Sequence, residues 1–156
     1  MLQVGDKAPD FSLPSADMQM RSLSDCAGKW FLLYFYPKDD TPGCTIQATD
    51  FTDMLEDYIA AGIHVAGVSA DTCHDHQAFR DKYGLTVSLL ADIDKELSNA
   101  YGVMHKKEKD GVTKEGILRS TFVIDPEGVI QYVEYGVAPK GHAANMLERI
   151  KEMMSA

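Results

Sequence analysis

The chain has 156 residues, 45% of them hydrophobic, which suits one domain spanning 1–156 with a core of its own. Its net charge is -9, with 15 Lys and Arg against 24 Asp and Glu, and no basic run exceeds the pair Lys106 and Lys107, which argues against nucleic acid and anionic membrane as partners. No stretch approaches the roughly 20 apolar residues of a membrane span, and the opening M-L-Q-V-G-D-K-A-P-D lacks the apolar stretch of a signal peptide, so a cytoplasmic location is expected.

Residues 5–25 are rich in turn formers, with Gly5, Pro9 and Pro14, and predict short strands or a hairpin. Trp30 to Tyr36 is continuously apolar and aromatic and predicts a strand buried on both faces, which Pro37 ends. From Thr45 a helical period begins: Phe51, Met54, Leu55 and Tyr58 recur at spacings of three and four, and Gly62 closes the segment. Ile63 to Ser69 predicts a second buried strand, His74 to Tyr83 a helix, Val87 to Leu90 a short strand and Lys95 to Tyr101 a short helix. Residues 105–116, H-K-K-E-K-D-G-V-T-K-E-G, predict an exposed loop. Ser120 to Ile124 predicts a strand, D-P-E-G a turn, and Val129 to Glu134 the strand's hairpin partner. Gly141 to Met154 predicts the last helix, with Met146, Leu147, Ile150 and Met153 on one face. Alternating strands and helices, closed by a hairpin and a helix, give an α/β fold. The expected architecture is a thioredoxin-like three-layer α/β sandwich with a mixed central sheet and an N-terminal β extension.

The cysteines are three, Cys26, Cys44 and Cys73, with no C-x-x-C. An odd number without that motif predicts neither a disulfide framework nor a zinc ribbon, and it fits a reducing compartment. Cys44 stands at a strand-to-helix junction on the carboxyl edge of the sheet, where α/β proteins place their active sites. There it falls in the first helical turn, among backbone N–H groups without helical partners, and those groups and the helix dipole favour a thiolate. Cys26, after Ser24 and Asp25 in an expected loop, reads as structural. Asp71, Cys73, His74, Asp75 and His76 crowd together like metal ligands, but neighbours on a helix diverge, so the expected metal and cofactor are none. His142, near the last helix start, is expected to cap or pack.

The run Y-F-Y-P-K-D-D-T-P-G-C-T-I-Q-A resembles the active-site segment of a peroxiredoxin, and more narrowly of the bacterioferritin-comigratory-protein or peroxiredoxin Q type. G-D-K-A-P-D-F-S-L-P, R-S-T-F-V-I-D-P-E-G and G-H-A extend the likeness over nearly the whole chain. The resemblance implies a thiol-dependent peroxidase that reduces hydrogen peroxide or organic hydroperoxides. In it Cys44 would attack the O–O bond and Thr41 would orient the peroxide. Arg119 would stabilise the thiolate and the departing oxygen, and Pro37 would shield the sulfur from water. A cation that keeps its proton suits the Arg119 role. Rival readings are a thioredoxin-fold disulfide reductase, which the missing C-x-x-C disfavours, and a non-catalytic chaperone-like binding module.

Attack leaves a sulfenic acid that a second thiol must reduce. Many relatives carry that thiol five residues further on, where this chain has Thr49, and others on the next helix, where it has Arg80. Cys73 is the candidate resolver that remains; the alternative is an external thiol such as thioredoxin, glutaredoxin or a small thiol. The subtype further implies a monomer or weak homodimer.

Overall fold

The computed structural model describes residues 2–155. β1 (Ser12–Pro14) and β2 (Met20–Ser22) pair antiparallel as an N-terminal extension, and a short turn of 3-10 helix over Ser24–Cys26 leads into β3 (Trp30–Phe35). Then come α1 (Pro42–Asp53), α2 (Leu55–Ala60), β4 (Ile63–Ser69), α3 (Cys73–Tyr83), β5 (Ser88–Ala91) and α4 (Glu96–Ala100). A hairpin of β6 (Met104–Lys109) and β7 (Val112–Ile117) precedes β8 (Ser120–Ile124), β9 (Ile130–Tyr135) and α5 (His142–Ser155). The central sheet has the order β5-β4-β3-β8-β9. β3, β4 and β5 run parallel, while β8 and β9 are antiparallel to their neighbours, so the sheet is mixed and the fold thioredoxin-like.

The period of two in β3 divides the core. Phe31, Leu33 and Phe35 face one layer, with Leu97, Tyr101 and Phe122. Leu32 and Tyr34, followed by Tyr36, face the other, with Phe51, Phe79 and Met146. Among the described residues no helix is long and apolar enough to cross a membrane.

Three expectations need correction. The helix expected from Thr45 starts at Pro42, a residue that needs no N–H partner in a first helical position. It also breaks at Met54 (φ -101°, ψ 3°), and after the break the Tyr58 hydroxyl reaches the Ala143 carbonyl of α5 at 2.6 Å. The expected loop at 105–116 is the β6–β7 hairpin, with Asp110 and Gly111 both at positive φ (54° and 76°). That pair is what a two-residue hairpin turn demands. Charged residues along both strands hid it, because Lys106, Glu108 and Lys114 stay exposed while Ile117 is buried in the core. β5 and β9 each lie one residue later than expected.

Tyr34 lies across Gly67 of β4, and a Cβ there would fall 2.5 Å from the ring carbon that bears the hydroxyl. Gly67→Ala is therefore expected to lower stability by about 1–3 kcal/mol through overpacking. In a urea titration the midpoint should fall with an unchanged slope; an unshifted midpoint would show that the ring can move aside freely.

Candidate active site

β3 delivers the site. Its backbone continues through Tyr36, whose N–H donates to the Val68 carbonyl at 3.0 Å, and at Pro37 the chain leaves the sheet. Pro37 and Lys38 are exposed. Thr41 occupies the N-cap of α1 without capping it: its hydroxyl donates instead to the Lys38 carbonyl at 2.9 Å. Pro42 brings no N–H, and the Thr45 N–H donates to the Thr41 carbonyl at 2.8 Å. Between them, the Gly43 and Cys44 N–H groups are those that a helix start leaves without an intrahelical acceptor. Cys44 sits in this turn with 1% of its surface exposed.

Arg119 arrives from across the sheet. β8 runs antiparallel to β3 with Ser120 opposite Phe35, so the residue before β8 stands at the end of β3 where the loop begins. The Arg119 carbonyl accepts from the Gly136 and Val137 N–H groups, both at 2.8 Å, which fixes its backbone. One guanidinium nitrogen, Nη1, donates to Gln47 Oε1 at 2.7 Å, and the other, Nη2, donates to Cys44 Sγ at 3.3 Å. The fork thus spans one turn of α1, since Gln47 follows Cys44 at the i,i+3 spacing that places side chains on one face. A Cβ on Gly43 would stand 3.0 Å from Arg119 Nη2 and 3.3 Å from Pro139 Cγ, so glycine at 43 makes room for the guanidinium. Sequence reasoning passed over Gln47, although its spacing from Cys44 could have found it.

The other two cysteines differ. Cys73 opens α3, which follows β4 at the same edge of the sheet as α1. Thr72 and Asp75 cap that helix reciprocally. Cys73 is half-buried, and burial pushes its thiol up. Cys26 closes the 3-10 turn rather than lying in a loop and packs against the core layer of Phe31, Leu33 and Phe35. Burial and the neighbouring Asp25 push its thiol up. It lines a cleft of about 300 Å³ with Phe31 and His64, at the end of the strands away from Cys44.

The crowded segment after β4 divides. Cys73, His74 and Asp75 stay at the helix start, but His76 is wholly buried. His76 and Asp71 meet Asp39 of the loop, with one ligand-type atom of each within 4.8 Å of the others. These atoms are engaged with one another and with the protein: Asp39 bonds His76, and Asp71 Oδ2 accepts from the Asp39 N–H and the Ser69 hydroxyl. His142 is buried at the start of α5, 2.8 Å from the Thr121 hydroxyl, so it packs; burial holds it below its ordinary value.

Known proteins are similar to this chain in sequence and fold. The AhpC/TSA family model matches residues 4–133. Peroxiredoxin Bcp of Bacillus subtilis is 40% identical over 152 residues, covering 97% of each chain. A solved structure of Xanthomonas campestris bacterioferritin comigratory protein, studied for its alkyl peroxide reduction, superposes with a TM-score of 0.88 at 36% identity, covering 92% of this chain and 91% of that one. A cysteine variant of Xylella fastidiosa PrxQ gives a TM-score of 0.93 at 33% identity, covering 99% and 98%. With fold, family model and relatives in agreement, the chain belongs to the AhpC/TSA family and is a peroxiredoxin, a thiol-dependent peroxidase.

Proposed function

We propose that Cys44 is the nucleophile of this peroxidase, a reading carried by the Arg119 N–H that donates to its sulfur at a helix start. The thiolate attacks one oxygen of the hydroperoxide. An S–O bond forms as the O–O bond breaks, sulfur is oxidised by two electrons, and the departing oxygen leaves as alkoxide or hydroxide and takes up a proton. Arg119 supplies a fixed cation where that charge develops, and Gln47 keeps the guanidinium in place. The Thr41 hydroxyl spends its hydrogen on Lys38, so its oxygen accepts from the peroxide O–H and orients it. The Gly43 and Cys44 N–H groups cradle the oxygens, and Pro37 screens the sulfur from bulk water.

The resulting sulfenic acid condenses with an external thiol, releasing water and forming a mixed disulfide that a second thiol then reduces. Cys73 is the weaker resolver, because burial pushes its thiol up and lowers the fraction present as the attacking thiolate. Thioredoxin, glutaredoxin or a small thiol would serve, and a cytoplasmic, monomeric or weakly dimeric enzyme fits that supply. The substrates are hydrogen peroxide and organic hydroperoxides.

Intact-mass analysis after one equivalent of hydrogen peroxide, without reductant, tests both halves. The expected product carries one added oxygen that dimedone traps on Cys44. Loss of two hydrogens with a Cys44–Cys73 peptide would make Cys73 the resolver, and an unchanged mass would remove Cys44 from the chemistry.

A further inference from the structure

Tyr36, Asp39 and His76 come from the end of β3, the loop and α3, and the fold buries them together, with 1%, 9% and 0% of their surfaces exposed. His76 Nε2 lies 3.0 Å from the Leu90 carbonyl oxygen. A carbonyl only accepts, so Nε2 carries a hydrogen. Nδ1 lies 2.5 Å from Asp39 Oδ2, and the Tyr36 hydroxyl donates to Asp39 Oδ1 at 2.6 Å. A bare ring nitrogen and a bare carboxylate oxygen would repel at that distance. One proton therefore lies between Asp39 and His76, whichever atom holds it.

The loop that this pair grips leads straight to the site. From Pro37 to Thr41, Asp39 is the one residue that is buried. Its N–H is held as well, donating to Asp71 Oδ2 at 2.9 Å. Asp40 has a left-handed φ of 59°, a conformation that persists only where the surroundings enforce it. Its carboxylate takes Lys82 Nζ at 2.8 Å and the Tyr83 hydroxyl at 2.6 Å, both on α3. Thr41 and the first turn of α1 follow at once. A buried polar pair is an inefficient stabiliser, since well-packed apolar side chains often do as well. What it supplies here is a single conformation for a loop with little apolar contact of its own.

We propose that Asp39 and His76 are positioning residues for the peroxidase reaction. Through their shared proton they pin residues 38–41 to α3 and hold Thr41 and Cys44 in the arrangement that peroxide requires. This rests on the reading of Cys44 as the nucleophile.

The test compares wild type, Asp39→Ala and Asp39→Asn in single-turnover reactions with hydrogen peroxide. Quenching with dimedone gives the rate of Cys44 sulfenic acid formation, and alkylation of Cys44 by iodoacetamide, which needs no orientation by Thr41, is measured in parallel. An asparagine amide can donate to His76 Nδ1 and accept from Tyr36, which replaces both side-chain bonds. Asp39→Ala should slow the peroxide step about 10- to 100-fold, the scale of an ångström-sized misplacement, and leave alkylation within about 3-fold. Asp39→Asn should return the peroxide step to within about 3-fold of wild type, because its bonds are restored. A wild-type rate in Asp39→Ala, a parallel fall in both reactions, or no rescue by asparagine would each overturn the proposal. Should Asp39→Ala fail to fold, His76→Gln keeps a side-chain amide for the Leu90 carbonyl and removes the ring Nδ1 that meets Asp39 Oδ2, and an unchanged peroxide rate there would overturn it too. If wild type itself forms no sulfenic acid at Cys44, the nucleophile reading falls first and the positioning proposal with it.

Discussion

Cys44→Ser is expected to bring peroxide consumption down to the rate of the reductant alone. Sulfur attacks as a thiolate, whereas a serine hydroxyl beside Arg119 has no general base to take its proton. The serine oxygen is smaller than sulfur and fits the same turn, so thermal melting should be little changed. The loss would then be chemical rather than structural. Coupled peroxide consumption by the two proteins decides it: residual turnover above background in the serine variant would place the reacting thiol at Cys26 or Cys73.

Arg119→Leu should lower the second-order rate constant for peroxide about 10²- to 10³-fold, or about 2.7–4 kcal/mol of transition-state stabilisation, the usual penalty for removing one fixed donor from developing negative charge. The fold should persist, because the bonds that hold this segment, from Gly136 and Val137, end on the Arg119 backbone carbonyl and not on its side chain. Arg119→Lys should recover only part of the loss. One ammonium cannot reproduce a planar fork that reaches Gln47 Oε1 at 2.7 Å and Cys44 Sγ at 3.3 Å together. Stopped-flow rates for the three proteins settle the ranking, and a lysine variant equal to wild type would mean that charge alone suffices.

What could be read from the sequence follows from the range of the interactions involved. Cys44 stands at a helix start behind a buried strand, so local pattern singled it out, whereas Thr41 and Pro37 were named by the resemblance to peroxiredoxins. Arg119 was named by the same resemblance, as the residue before the T-F-V-I-D strand, and the antiparallel register of β3 and β8 is what brings it beside the sulfur. Asp39 and His76 are 37 residues apart, and nothing local marks them as partners. Composition instead suggested that His76 belonged with Cys73 and His74, whereas burial turned it inward to the loop. The β6–β7 hairpin escaped notice because a charged run lacks apolar alternation, and the Asp110–Gly111 turn signal was outweighed. The break at Met54 precedes the turn from which Tyr58 reaches α5, and helical periodicity alone does not mark such a break.

Only 1% of the surface of Cys44 is open, and this makes unequal demands on the two co-substrates. On the proposed roles of Thr41 and Arg119, a hydroperoxide would present only a two-atom head to pass between them. A thiol on another protein comes with a bulky surface, and with Cys44 so enclosed it would meet the oxidised sulfur only if the first turn of α1 opened. Reduction would then be gated: at low reductant it would follow collision, but at high reductant it would level off at the frequency with which that turn opens. The ceiling on turnover would belong to the first turn of α1 and to the bonds that tie Asp39 and Asp40, just before it, to α3, and changing the reductant would alter how soon the ceiling is reached without raising it.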